Sequence, residues 1–544
     1  MPERVSPFAP FRHGTFRHLW MATLASNFGG LVQAVGAAWM MTTLTDSASM
    51  IALVQASTTL PVVLFSLVAG ALADNYDRRR ILLVAQGLML VVSAGLAACA
   101  WAGVLTPWLL LAFTFMVGMG VALNNPSWQA TVGDIVPRED LPGAVALNSM
   151  SFNLMRSIGP ALGGVIVATA GAAVAFAVNA VSYIPLVWVL LRWKPAPRER
   201  RLPREPMGLA VSAGLRYVAM SPNLLRVMVR GFLFGLAAIG VLALMPLIAR
   251  DLLGGGAELF GILLGCFGFG AIGGALANTL LRERLSNEWI VRGASLAFAV
   301  SALGLGLSSN AWLSALLILP AGAAWVLALS LLNVSVQLGT PRWVVGRAMA
   351  LYQTATFGGM ALGSWVWGLV AEGAGAGGAL MISAVVLVAG ALAGLWFALP
   401  AFGTIDLDPL DRFREPSLRL DLRARSGPIM VMVDYEIDQK DVPAFLDIMA
   451  ERRRIRLRDG ARQWTLLRDL ELPDQWTETY HVATWEEYLR HNLRRTKGDA
   501  QNYERLLGLH RGPDRPHVHR MIERHTVPVR DDTPLKPHPE LPGV

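Results

Sequence analysis

A chain of 544 residues that is 54% hydrophobic and only 16% charged, with a mean hydropathy of +0.45, is too apolar for an ordinary soluble protein. Its net charge of +8 is mostly arginine beside the apolar blocks, so it reads as membrane topology and not as a nucleic-acid surface. Cys99 and Cys266 each fall inside an apolar block and read as small core residues, which excludes a cysteine metal site.

Taken in chain order, the apolar blocks predict twelve spans, at 18–43, 50–73, 80–103, 107–129, 144–170, 172–191, 223–249, 257–281, 287–307, 311–337, 347–371 and 376–400. The first block runs on into a span without the pattern of a cleavable signal peptide. Only Gly171 and its small neighbours separate the fifth span from the sixth. The loops on one side carry Arg78, Arg79, Arg80, Arg138, Arg192, Arg282, Arg284 and Arg347, while the other side offers Arg250 and little else. The positive-inside rule then places both termini in the cytoplasm. The stretch 192–206 is rich in Pro and Arg and connects the halves; Met207–Tyr217, mildly amphipathic, reads either as a helix on the membrane surface or as a plain tether.

After the last span the composition changes. Residues 401–427 have a linker's composition. Residues 429–437 alternate as a strand does, 442–458 form an amphipathic helix, 462–470 and 476–483 two further strands, 485–507 a second helix and 517–523 a last strand. That order, βαββαβ, is ferredoxin-like. The Pro-rich end, 526–544, has the composition of a disordered tail.

The two membrane halves repeat at one offset. Gly70-Ala-Leu-Ala matches Gly274-Ala-Leu-Ala (274 − 70 = 204), Pro137-Arg138 matches Pro341-Arg342, and Gly159 and Gly164 match Gly363 and Gly368. Two similar halves facing each other are the architecture of a carrier with its site at the midplane.

Several motifs have a physical job. Gly70, Asp74, Arg78 and Arg79 sit at the turn between spans 2 and 3, where the glycine permits close helix approach and Asp74 can latch onto an arginine or a helix N-terminus of the other half. Gly159-Pro160 bends span 5, and Gly163 and Gly164 let a neighbour close in. Arg156, one turn before the kink, is the charged residue well inside the first half, and position 360 (156 + 204) is Met360, so the charge is not repeated. Asn27, Gln33, Asn124, Asn153 and Gln353 are candidate substrate contacts, and Trp39, Trp325, Trp365 and Trp367 offer flat faces for an organic ligand. Each of these amides and indoles also has an ordinary packing role open to it. No Asp or Glu falls mid-span, so coupling to a proton or another ion rests on acids at span ends or on the substrate's own charge. Amides and one arginine suit an anionic or large amphipathic substrate better than a cation.

The stretch 70–80 resembles the loop 2–3 signature of the major facilitator superfamily, departing from it at Asn75 and Asp77. Gly159-Pro160-Ala-Leu-Gly163-Gly164 is similar to part of the antiporter signature of that superfamily, with Met155 where a glycine is usual. Val136-Pro137-Arg138-Glu139-Asp140-Leu141, followed by Asn148, Asn153 and Arg156, resembles the transmembrane secretion effector branch. The tail resembles the dimeric α+β-barrel group, which includes small monooxygenases that work without cofactor or bind haem; His481, His491, His510, His517 and His519 are its histidines.

The expectation is an all-α membrane protein of twelve transmembrane helices in two pseudo-repeated six-helix bundles (1–191 and 223–400). A connector (192–222), a linker (401–427) and a small α+β ferredoxin-like cytoplasmic domain (428–525) complete it. The resemblance implies a secondary active transporter, not an enzyme, that exports a drug, siderophore or secondary metabolite across the bacterial inner membrane by alternating access. Its expected partners are the lipid bilayer, a small-molecule substrate, a coupling proton or other ion, and a second copy through the tail domain; no cofactor, metal or nucleic acid is expected. The rivals are a membrane-anchored enzyme or sensor whose tail carries the activity, and an uptake carrier.

Overall fold

The computed structural model describes residues 9–137, 140–194, 207–341, 343–399, 406, 407, 410 and 413–523, apart from some side chains within the helices, among them those of Asp74, Asn153 and Arg156. The predicted tail 526–544 and the arginine-rich part of the connector lie outside the described residues.

The chain divides into two units, one holding the long helices and the other the tail. In the first unit run α1 (Gly14–Leu44), α2 (Ala48–Asn75), α3 (Arg78–Trp101), α4 (Pro107–Ile135), α5 (Leu141–Ala170) and α6 (Ala172–Arg192). The series resumes after a short helix, α7 (Met207–Ala219), with α8 (Pro222–Leu247), α9 (Ala257–Arg284), α10 (Asn287–Leu307), α11 (Ala311–Leu338) and α12 (Val345–Ala393). Nine helices among the described residues are long and apolar enough to cross a membrane. Of the other two long helices, α1 carries Arg17, His18, Asn27 and Gln33, and the described part of α5 contributes the apolar stretch Ile158–Ala170.

Backbone geometry repeats at the offset seen in the sequence. The turn between α5 and α6 is Gly171 alone, at φ 84°, and α12 is interrupted at Gly375, at φ 72° (375 − 171 = 204). Positive φ is cheap only for glycine, so one glycine suffices to break each helix at the matching place.

Some polar side chains inside the first unit bond from helix to helix. Asn179 on α6 donates its amide N–H to Gln33 on α1 at 2.7 Å and to Ser93 on α3 at 3.3 Å, and Asn179 is fully buried. In the second half Arg230 on α8 donates to Glu288 on α10 at 3.1 Å, and both are largely buried. Around them Phe234, Phe267, Phe298 and Trp325 form an aromatic core with centroid spacings of 6.0–6.2 Å.

The second unit is built on a four-stranded antiparallel sheet ordered β2-β3-β1-β4, from β1 (Ile429–Glu436), β2 (Arg462–Arg468), β3 (Gln475–Val482) and β4 (Val518–Ile522). One face of β1 (Ile429, Val431, Val433, Tyr435) is buried with Phe445 and Met449 of α13 (Val442–Asp459). The single helix expected over 485–507 is instead two, α14 (Trp485–Leu493) and α15 (Lys497–Leu509). The cause is a capping box: the Thr496 hydroxyl accepts from the Asp499 N–H, and the Asp499 carboxylate accepts from the Thr496 N–H, starting a new helix.

The connector departs from expectation as well. Residues 208–222 and 338–348 cluster with the tail. Tyr217 of α7 is buried, packed edge-on against Trp343, and Arg458 and Arg494 lie over the two rings at 5.2 and 4.2 Å. Thus α7 packs as part of the tail unit.

Candidate functional site

The two membrane halves meet through glycines of the repeat. A Cβ added to Gly164 on α5 would lie 2.6 Å from the Cα of Gly261 on α9, and one added to Gly368 on α12 would lie 2.7 Å from the Cα of Ser49 on α2. Those distances are impossible for real side chains, so each glycine is required by a backbone approach between halves. Gly159 and Gly163 face the other way and pack on Leu31 and Val32 of α1. Gly363, the repeat mate of Gly159, packs likewise on Leu236 and Ile239 of α8. One segment thus presents small residues to its own half on one side and to the opposite half on the other. Pro160 is buried inside α5, between the two sets.

Polar contacts between the halves gather at the same end, away from the arginine-rich loops. Glu372 accepts from the hydroxyls of Ser47 and Ser49 at 2.7 and 2.6 Å. Arg250 donates to the Thr42 carbonyl at 3.1 Å and pairs with Asp46 at 3.6 Å. Trp39 of α1 stacks on Phe260 of α9 with centroids 6.2 Å apart. Another contact between the halves lies nearer the arginine-rich ends of α2 and α12, where Ser66 and Thr354 share a hydroxyl hydrogen bond of 2.9 Å.

The loop 2–3 motif behaves differently from expectation. Among the described residues nothing lies within 4 Å of a Cβ added to Gly70, so that glycine makes no close helix approach here; its mate Gly274 does, at 2.4 Å from the Ala323 carbonyl oxygen. Arg79 donates to the Leu190 and Leu191 carbonyls at 2.7 Å, closing the C-terminal end of α6. Asp77, a departure from the superfamily signature, caps α3 by accepting from the Arg79 N–H at 3.0 Å. Arg78 opens that helix. The proposed latch residue, Asp74, falls among the side chains that are not described.

The candidate substrate contacts separate into kinds. Gln33 is buried and accepts from the Asn179 amide N–H, a contact between α1 and α6. Asn124 is half-buried and accepts from Gln86 at 2.9 Å. Asn27 on α1 and Gln353 on α12 are half-buried. Asn153 and Arg156 lie on α5, their side chains outside the described residues. Trp325 and Trp367 are buried in packing, the latter donating to the Leu236 carbonyl at 2.7 Å, whereas Trp365 is exposed. Sequence reasoning missed the Arg230–Glu288 pair and the serine–Glu372 contacts. The signal available was weak, because each partner stands at a span end where charge is unremarkable.

A model of the transmembrane secretion effector family matches residues 5–527. The chain belongs to this family. This secretion effector is 25% identical over 282 residues to a staphyloferrin A transporter of Staphylococcus aureus, spanning 51% of the present chain and 70% of that one. It is 29% identical over 308 residues to an enterobactin exporter, EntS, of Salmonella typhimurium, spanning 56% and 72%. Among solved structures it resembles a bacterial homologue of the human lysosomal transporter Spinster, inward-facing and unoccupied (TM-score 0.55, 16% identity, 72% of this chain and 96% of that one). It also resembles the POT family transporter PepTSo (TM-score 0.58, 12% identity, 71% and 98%). At such identities the likeness establishes the fold. The secretion effector is therefore a multi-pass secondary transporter of the major facilitator type, working on small molecules in a lipid bilayer, and not an enzyme.

Proposed function

We propose that this transporter is a twelve-span exporter of a siderophore-like or related small organic molecule across the bacterial inner membrane, with both termini cytoplasmic. Alternating access between the two halves drives it, coupled to a proton or another ion. Nine candidate helices, α1 and α5 beside them, and the division of α12 at Gly375 support the reading of twelve spans. Asn27, Asn124, Asn153, Arg156 and Gln353 supply the substrate contacts, Arg156 meeting the negative charge that a chelating ligand carries. The substrate class rests on the names of the relatives, and the direction on the exporter among them.

The observation that carries alternating access is the shut end. Gly164–Gly261, Gly368–Ser49 and the Glu372 contacts all lie at the end away from the arginine-rich loops, which positive-inside places outside the cytoplasm. A carrier closed there and loading from the cytoplasm is poised for export, and the glycine contacts have to part for release.

The test is a reversible lock. In a Cys99→Ser, Cys266→Ser background, Ser49→Cys with Glu372→Cys is oxidised and export of a radiolabelled siderophore is followed in inside-out vesicles. Oxidation is expected to lower the rate at least tenfold, with recovery on reduction. Undiminished transport by the oxidised, cross-linked protein would show that this end need not open.

A further inference from the structure

The tail encloses a cavity of about 460 Å3, a size suited to a small organic ligand. Six of the residues lining it are arginines: Arg414, Arg452, Arg456, Arg495, Arg515 and Arg520. The carboxylates available to them are few. Glu478, fully buried, takes Arg452 Nε at 2.8 Å and Arg456 Nε at 3.0 Å, and its oxygens also accept from Tyr435 and Trp464. Asp499 lines the cavity but is held by Thr496 and by Arg458 at 2.8 Å. Glu504 is exposed at the edge. Six guanidinium groups therefore meet three carboxylates, two of which are already engaged.

Arg495 is the telling member. It is half-buried, and among the described residues it forms no ion pair. Burial, and then the neighbouring Arg456, pull its guanidinium down to about 10, so it stays charged at neutral pH at a cost to the fold. A charge held that way without an ion pair among the described residues is matched by an external one, and carboxylates are the natural match for a guanidinium fork. The rest of the wall is flat and aromatic. Tyr480 and Tyr503 lie 4.5 and 5.5 Å from the guanidinium carbons of Arg456 and Arg452, and Tyr488 is stacked on Trp485 with centroids 5.0 Å apart.

We propose that this cavity binds a small planar organic acid bearing two or more carboxylates, which Arg495 and the rim residues Arg414 and Arg515 hold while Tyr488 and Tyr503 face its ring. The site lies wholly within the tail. Its neighbour in the chain, Arg494, is the residue that lies over Trp343 of the segment between α11 and α12.

The full chain in detergent is titrated calorimetrically with benzene-1,3,5-tricarboxylate, with its trimethyl ester and with inorganic phosphate. The tricarboxylate is expected to bind in the micromolar range, and the ester and phosphate at least tenfold more weakly. Arg495→Gln is expected to weaken tricarboxylate binding at least tenfold with an unchanged or higher melting temperature, because an unpaired buried charge has been removed. Arg515→Gln, at the exposed rim, is expected to weaken it about threefold. Absence of binding at millimolar tricarboxylate, equal binding by Arg495→Gln, or phosphate binding as tightly as the tricarboxylate would each overturn the proposal. A lower melting temperature for Arg495→Gln would do so too, since it would make that arginine a structural support. Transport plays no part in this readout, so failure of the exporter assignment leaves the result intact.

Discussion

The membrane unit and the tail bury polar chemistry in opposite ways. In the first, Gln33, Asn179 and Ser93 are neutral groups joined helix to helix, and among the described residues the buried charges come as one matched pair, Arg230 with Glu288. In the second, the cluster around Glu478 carries a positive excess. Lipid offers unpaired charge no relief, so spans keep their polar groups neutral or balanced. A water-facing domain tolerates an excess when a cavity admits counter-charge. Balance marks scaffolding, and surplus marks a place where something binds.

The sharpest break of that contrast is Glu478→Ala. Burial alone would raise this carboxyl, but Arg452 and Arg456 overcome it and hold the group well below the usual carboxylate range. Its removal leaves two buried guanidinium groups unmatched and is expected to cost roughly 3–5 kcal/mol, seen as loss of the tail's transition in chemical denaturation. A variant that melts within 1 kcal/mol of the parent (about 1 kcal/mol being a typical single-mutation effect) would show the cluster to be incidental.

A smaller effect separates two buried titrating groups of the tail. His491 is held well below its ordinary value by burial and then by Arg456 and Arg495. The unfolded chain takes up that proton below about pH 6.5 and the folded one does not, so this group's contribution falls as pH drops, by up to about 1.4 kcal/mol per unit. Asp459 works in the other direction. Burial outweighs the pull of Arg458 and pushes it up to about 6. The folded state keeps a proton that the unfolded state has released above about pH 4, so stability falls as pH rises from there to about 6. The two slopes oppose each other in the parent. His491→Asn is expected to melt at lower temperature as pH rises from 4 to 6, and Asp459→Asn at higher temperature, over a window set by the acid's ordinary value of about 4. Parallel calorimetric profiles for the two variants would refute the assignment.

Least of all should the neutral network of the bundle matter singly. Asn179→Ala is expected to cost on the order of 1 kcal/mol, since helix–helix amide bonds in membranes are modest. A thermal-stability assay in detergent checks it, and a loss comparable to Glu478→Ala would erase the distinction between the units.

What was legible in the chain follows the same division. The 204-residue offset is written in small residues, whose role depends on backbone approach alone, and Gly171 and Gly375 confirm it as matching helix breaks. Gly70 shows the limit: identical letters at Gly70 and Gly274 meet different neighbours, and among the described residues only Gly274 makes the close approach. The break at Thr496 was written plainly as a capping box, yet an amphipathic pattern ran across it. The Glu478 cluster was hidden by abundance. Residues 452–458 hold five arginines, and only the i, i+4 pair Arg452 and Arg456 turns toward the sheet to meet a glutamate on β3. Arg230 and Glu288 are 58 residues apart and each stands near a helix end, where charge attracts no notice.

The clustering of 208–222 and 338–348 with the tail changes what a truncation would mean. Cutting the chain near residue 405 does not remove an appendage cleanly. It strips the cover from Tyr217 and Trp343, two aromatic residues that the remaining polypeptide would have to expose or rehouse. A shortened carrier that failed would then be reporting orphaned surface, whether or not the lost portion had ever taken part in moving cargo.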